Sequence, residues 1–352
     1  MATVPEIQLT VIGGYLGAGK TTLLNHMLNG AGDRRLAVLV NDFGAINIDA
    51  ELIESRDGDM VNLSNGCICC GIGTDFIAAL ASFRDGEGPP EHVVVEASGV
   101  ADPTQIAVLG EMPGYARDAV VVVVDAETAR TRGEDEATAG LLVAQLRSAD
   151  LLVLNKTDLV EPDALESLRV WLRETVGRST AIVDATFGAV PADVLIGARA
   201  GAPRSAARSR GHELADDGHE PADYDHSGHD QLGHDPSDRD HAGHDHAGHA
   251  HYDSWSWSGD APVSGTGLVE ALEALPDGVV RAKGFLHLRE DAERRYLLQL
   301  VGRRYSIEAR GSWGEDPPCS RLVIIGIPGS FDASELDRTM ARLSAATASA
   351  AG

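Results

Sequence analysis

Lys20 and Thr21 close the run Gly14-Tyr-Leu-Gly-Ala-Gly-Lys-Thr21, which has the G-x-x-x-x-G-K-[ST] form of a loop that cradles phosphates. The chemistry needs each residue type where it stands. Glycines at 13, 14, 17 and 19 let the chain curl so that backbone N–H groups from Leu16 through Ala18, Lys20 and Thr21 to Thr22 face the β- and γ-phosphates. Lys20 brings a compact positive charge to the phosphates, and the Thr21 hydroxyl is the expected ligand of Mg²⁺ at the positive end of the helix that follows. An apolar run with Leu9, Val11 and Ile12 precedes the loop, and Thr22-Leu-Leu-Asn-His-Met-Leu follows it, so a strand and a helix bracket it.

A second cluster concerns the base. Leu151-Leu-Val-Leu154 runs into Asn155-Lys-Thr-Asp158, an N-K-x-D tetrapeptide at the end of a short apolar strand. The Asp158 carboxylate can accept from both guanine N1–H and the exocyclic amine, which adenine does not offer. Asn155 is expected to support the ring edge, and the Lys156 stem to pack on the base. A carboxylate left without its partners discriminates strongly, so the expected nucleotide is GTP. Lysine usage agrees: the chain has only Lys20, Lys156 and Lys283 among its 29 basic residues, and two of the three fall in these motifs.

His92-Val-Val-Val-Glu96-Ala-Ser-Gly99 is an apolar run ending in an acid, then x-x-Gly. Glu96 is expected to hold the Mg²⁺ shell, and the Gly99 amide to sense the γ-phosphate. Lys20, Thr21 and Glu96 form the expected catalytic set, without an assured water-orienting group or arginine finger, so slow intrinsic hydrolysis is expected.

Between these motifs lies Ser64-Asn-Gly-Cys67-Ile-Cys69-Cys70, with three of the four cysteines. Disulfide pairing within so short a run is sterically poor. Crowded thiolates need a cation, and soft sulfur favours Zn²⁺ or Cu⁺ over Mg²⁺; a buried, reduced cluster without metal remains the alternative. Cys319 stands alone after two prolines and is expected to be a loop or core residue. His26, His92 and His287 are expected to be structural.

Together GGYLGAGKTTLLNHML, VNDFGAINID, LSNGCICC, EASGVADP and NKTD resemble the CobW-type GTPases, a branch of P-loop GTPases that act as metal chaperones or assembly factors. The resemblance covers roughly residues 9 to 190, and weakly RAKGF near Arg281. It implies a GTPase domain whose C-x-C-C metal site is coupled to nucleotide state, followed by a smaller C-terminal domain. The family pattern Asn-Glu-Phe-Gly is here Asn41-Asp-Phe-Gly44, which makes Asp42 a candidate metal contact with a shorter arm.

The formal charge of −25 argues against nucleic acid or an anionic membrane as partner. No signal peptide or apolar span is read, and a cytoplasmic location is expected. The segment from about Ala200 to His251 holds ten of the thirteen histidines in a repeated Gly-His-Asp theme, and its composition cannot offset chain entropy, so it is expected to be a disordered linker. His241, His244, His246, His249 and His251 are expected to collect divalent ions weakly; an idle solvated linker is the alternative.

The motifs need a scaffold. Periodicity predicts strands near 8–13, 36–41, 92–96, 119–125, 151–155 and 180–184, alternating with helices near 20–29, 73–84, 137–148 and 163–175. That alternation predicts an α/β class: a P-loop GTPase domain with a mostly parallel, doubly wound sheet over residues 1–199. Residues 252–352 are predicted to form a smaller α+β domain with one sheet: an edge strand at Tyr252–Trp257, a helix at Leu268–Leu275, strands at 279–288, 296–301, 304–309 and 321–325, and a last helix near Asp332 with Glu335 placed for a capping box. The function read from all this is a GTP-dependent metallochaperone for Zn²⁺, with Co²⁺ next, serving a client metalloprotein; pairing with a second copy stays open. A maturation factor for a metalloenzyme or for cobalamin synthesis, and a metal-storage protein with weak GTPase, are the alternatives.

Overall fold

The computed structural model describes residues 6–40, 60–62, 74–86, 88–177, 179–198, 252–314 and 316–345. Among these, seven strands form one sheet in the order β3-β2-β4-β1-β5-β6-β7: β1 (Ile7–Gly13), β2 (Leu36–Val40), β3 (Met60–Asn62), β4 (His92–Glu96), β5 (Tyr115–Asp125), β6 (Leu151–Asn155) and β7 (Ala181–Asp184). Every pairing between neighbours is parallel. The sequence dictates this. β1, β4 and β6 are buried throughout, as strands covered on both faces must be.

Successive residues feed opposite layers. Val93 and Val95 join Leu9, Val11, Phe76, Leu80, Leu146 and Leu172 on one face, while Val94 joins Ile12, Leu23, Leu24, Met27, Val121 and Leu195 on the other. Helix α1 (Lys20–Gly30) and the helices Thr74–Asp85, Ala139–Ser148 and Pro162–Val176 supply the covering layers, at or within a residue or two of the predicted positions. The stretch predicted as one helix over 137–148 is preceded by a separate turn of helix, Ala129–Glu134. β5 begins four residues earlier than predicted, because Arg117 and Asp118 break the apolar run in sequence but find buried or half-buried partners in space.

The C-terminal residues build a second, antiparallel sheet ordered β11-β10-β9-β12-β8, from β8 (Asp253–Gly259), β9 (Val279–His287), β10 (Arg294–Val301), β11 (Arg304–Ser312) and β12 (Ser320–Gly326). β8 lies at the edge, as its alternating tryptophans predict. Helices Gly265–Glu273 and Ala333–Ser344 bury Leu268, Leu272 and Met340 against Trp255, Leu298 and Ile324. The last helix is capped by Asp332, whose side chain accepts from Ser334 N at 2.8 Å. His26, expected to pack, is exposed on α1, off the stripe formed by Leu23, Leu24 and Met27. Cys319 is a free, half-buried thiol beside β12, in accord with its expected structural role.

The two sheets meet at the N-terminal ends of β1, β4 and β5. Arg281 on β9 and Asp118 on β5, each 2% exposed, pair at 2.8 Å, and the same guanidinium donates from Nε to the Val194 carbonyl at 2.9 Å and also bonds the Leu195 carbonyl. Gln299 on β10 bonds Gln8 on β1, and Arg304 holds Asp150 through two contacts of 2.7 and 2.9 Å. Thr10 donates to Asp118 Oδ2 at 2.9 Å, so its remaining contact, 2.7 Å to His92 Nε2, requires the ring nitrogen to donate. His92 therefore carries a proton on Nε2, and burial, which pushes its pKa down to about 3, keeps the ring neutral. Burial is the largest single influence on Asp118 and opposes its ionisation, but the nearby positive groups, led by Arg281, which also donates a hydrogen bond to it, together outweigh burial and hold the carboxyl below the usual range. The expectation that His92 is structural holds, with Asp118 as a neighbour that its own sequence context does not reveal.

Candidate nucleotide site

At the opposite, C-terminal end of the parallel strands, the three motifs converge. The phosphate loop leaves β1 with positive φ at Gly14, Gly17 and Gly19 (132°, 77° and 99°). At Gly19 a β carbon would stand 2.4 Å from Asn155 Nδ2, so the loop and the N-K-x-D strand end touch only because that side chain is missing. Asn155 Nδ2 donates to the Ala18 carbonyl and its Oδ1 accepts from Gly188 N, both at 2.9 Å. Asn155, expected to support the ring edge, is thus a buried strut between the phosphate loop and the loop after β7.

Lys20 opens α1 and is 8% exposed; its Nζ donates to the Tyr15 carbonyl at 3.4 Å, as Ala18 N does at 3.2 Å. The loop therefore closes around its own carbonyl, with the ammonium held inside it. Thr21 Oγ1 lies 3.1 Å from Glu96 Oε1, and Glu96 is 2% exposed at the end of β4. The register brings the end of β4 beside the end of β1, where Ile12 pairs with Glu96 just before the phosphate loop begins. Gly99 packs on the phosphate loop so closely that a β carbon there would lie 2.8 Å from Leu16 N. Thr22 is exposed beside it on α1.

Lys156 carries φ of 62°, and its Nζ donates to Asp125 Oδ2 at 2.8 Å. Asp158, two residues on, is exposed. The structure thus brings Gly14, Gly17, Ala18, Gly19, Lys20, Thr21, Glu96, Gly99, Asn155 and Lys156 to one end of one sheet, with Asp158 at its open side. The expected metal residues Cys67, Cys69, Cys70, Asp42, His241, His244, His246, His249 and His251 lie outside the described residues.

Several contributors escaped the sequence reading. Asp125 ends the apolar strand β5 as Glu96 ends β4, a signal that was there to be used. Gln145, fully buried in helix Ala139–Ser148, donates from Nε2 to the carbonyls of Gly99 and Ala101 at 3.2 and 2.9 Å and so fixes the glycine loop; a lone Gln among apolar helix residues was its only trace. Arg132 crosses the phosphate loop, 4.4 Å from the Tyr15 ring centre, with Nη1 donating to the Leu16 carbonyl at 3.2 Å. Nothing in its local sequence marks that contact.

Residues 8–183 match the model of the CobW/HypB/UreG nucleotide-binding domain, and residues 252–344 match that of the cobalamin synthesis protein cobW C-terminal domain. A zinc chaperone CobW of Pseudomonas aeruginosa is 31% identical over 362 residues, spanning 93% of this chain and 89% of that protein. A zinc chaperone CobW of a Sinorhizobium species is 28% identical over 355 residues, spanning 92% and 93% respectively. The crystal structure of Zn(II)-bound YjiA GTPase from Escherichia coli shares 25% identity over 96% of this chain and 99% of its own, with a TM-score of 0.41.

Proposed function

We propose that this chain, which belongs to the CobW/HypB/UreG family, is a GTPase that couples nucleotide state to the binding and delivery of zinc. The observation that carries the nucleotide half is the 3.1 Å contact between Thr21 and Glu96 beneath a closed phosphate loop. A hydroxyl and a buried carboxylate side by side are hard oxygen donors, and that donor set fits Mg²⁺. Bound there, Mg²⁺ would neutralise charge on the β- and γ-phosphates.

The chain's own residues do the rest. Lys20, whose ammonium donates to the Tyr15 carbonyl inside the phosphate loop, stabilises charge on the transferring phosphoryl group. The loop amides hold the β- and γ-phosphates, and Gly99, fixed by Gln145 and lying against Leu16, registers whether the γ-phosphate is present. Water attacks the γ-phosphorus, the bond to the β–γ bridging oxygen breaks, and the products are GDP and phosphate. Asp158 selects guanine through its two donors.

The zinc half rests on the donor chemistry of Cys67, Cys69 and Cys70 and on the names of the relatives. Zinc is cargo here, with cobalt the next candidate, and three thiolates leave a fourth tetrahedral position open for ligand exchange with a client metalloprotein. Asp42 is a further candidate ligand, and the histidines from His241 to His251 are a weak collecting tract.

The test is titration of Zn²⁺ into the GTP-bound and GDP-bound protein. The expected result is one tight site whose affinity differs between the two states, together with a reciprocal change in GTP affinity when zinc is bound. Equal zinc affinity in both states, or tight binding that survives the change of all three cysteines to Ser, overturns the coupling.

A further inference from the structure

Among the described residues, two that are not glycine hold positive φ: Lys156 at 62° and Phe187 at 51°. For a residue with a β carbon this backbone is strained, and strain of this kind persists only where the surroundings impose it. Both residues lie on loops at the C-terminal ends of adjacent strands, Lys156 after β6 and Phe187 after β7.

The two loops are tied together. Thr157 N and Oγ1 both donate to the Ala185 carbonyl, at 3.3 and 3.2 Å, and Thr157 Oγ1 lies 3.4 Å from Thr186 Oγ1. On the other side of Phe187, Gly188 N donates to Asn155 Oδ1 at 2.9 Å. Gly188 also lies flat on the start of α1, where a β carbon would come within 2.7 Å of Leu23 N. Phe187 is therefore bracketed between the loop that carries Asp158 and the helix that follows the phosphate loop. Its side chain is left 72% exposed.

An exposed phenylalanine alone is ordinary. An exposed phenylalanine in strained backbone, locked by its neighbours beside the base-reading carboxylate, asks for a ligand. We propose that Phe187 is a stacking platform for the purine ring of the bound nucleotide, with the Lys156 stem, tethered to Asp125 at 2.8 Å, covering the other face of the ring. The assignment rests on the GTP reading above and deepens it. It divides the labour of recognition: an aromatic face adds affinity for any purine, because every base has a π-face, while Asp158 supplies the preference for guanine.

The experiment measures binding of GDP, GTP, ATP and inorganic tripolyphosphate by calorimetry to the full chain and to the Phe187→Ala, Phe187→Trp and Asp158→Asn variants. Phe187→Ala is expected to weaken GDP and GTP alike, by about tenfold to a hundredfold, and to leave tripolyphosphate unchanged. Phe187→Trp is expected to keep GDP affinity within a few-fold and to show emission that GDP quenches and tripolyphosphate does not. GDP binding by Phe187→Ala within twofold of the parent, while Asp158→Asn is weakened, overturns the platform and leaves the guanine site standing. A parent chain that binds ATP as well as GTP overturns the site reading itself. An equal loss of tripolyphosphate in Phe187→Ala also overturns the platform, because it shows the side chain shaping the loop rather than meeting the base.

Discussion

The two ends of the parallel sheet carry polar side chains of similar kinds in opposite circumstances. At the N-terminal end Gln8, Thr10, His92 and Asp118 are buried, and each bonds another side chain, with Arg281 and Gln299 of the second sheet completing the set. At the C-terminal end the loops are braced internally, by Asn155, Gln145 and Arg132, yet Asp158, Thr22 and Gly17 face solvent. The difference separates two uses of polarity. Buried and paired, it joins one sheet to another and specifies their register; braced but open, it waits for a molecule from solution.

If that division is sound, substitutions at the two ends should damage different properties. Lys20→Ala should produce the largest effect, a fall in GTP turnover of about a thousandfold or more, because the charge it removes acts on the transferring phosphoryl group. Its thermal unfolding should stay close to that of the parent. A steady-state assay of released phosphate beside a melting curve checks both, and turnover within a few-fold of the parent breaks the assignment.

Arg281→Ala should do the reverse. It leaves Asp118 buried without its guanidinium, keeping the Thr10 hydroxyl as a neutral donor, and breaking a buried ion pair in this way costs about 3–5 kcal/mol. Guanidinium unfolding should record that loss, while GTP affinity of the folded protein should change by no more than a few-fold. A large loss of nucleotide binding in a variant that still folds would show that the two ends are coupled rather than separate.

The smallest effect is a dependence on pH. His92 is neutral in the folded chain, with its pKa pushed down to about 3 by burial, against about 6.5 when unfolded. Above pH 6.5 neither form takes up a proton, and the full stability is present. As pH falls below 6.5 the unfolded chain protonates first, and stability declines by up to about 1.4 kcal/mol per pH unit towards pH 3. Asp118, held below its ordinary range, adds a further loss once the pH passes below about 3.8. Unfolding free energies measured between pH 7.5 and 5 should show the histidine slope, and His92→Gln should flatten it.

Most of the fold was legible because apolar periodicity and strand-end punctuation agree along the first sheet: β4 and β6 fall at the predicted residues. The start of β5 was not, since Arg117 and Asp118 read as surface residues until Arg281, far along the chain, is seen to bury against Asp118. The site divides likewise. Lys20, Thr21, Glu96 and Lys156 sit in contiguous motifs whose spacing the backbone enforces. Gln145 and Arg132 act through contacts between distant segments, and a single sequence holds no record of those. Asn155 was legible as a member of the site, but its double bond to Ala18 and Gly188 depends on two other loops arriving beside it.

The scarcity of lysine has a practical side. All three ammonium groups are placed in the structure: Lys20 lies inside the phosphate loop, Lys283 is half-buried on β9, and Lys156 has a side chain 31% exposed beside the base loop. Amine-directed labelling therefore meets few lysines, with Lys283 and the α-amine of the chain as the other targets beside Lys156, and brief cleavage by a lysine-specific protease has only three sites to choose from. If the Lys156 stem covers the base as proposed, nucleotide should protect Lys156, and mass spectrometry would read that protection as a footprint of occupancy without a labelled ligand.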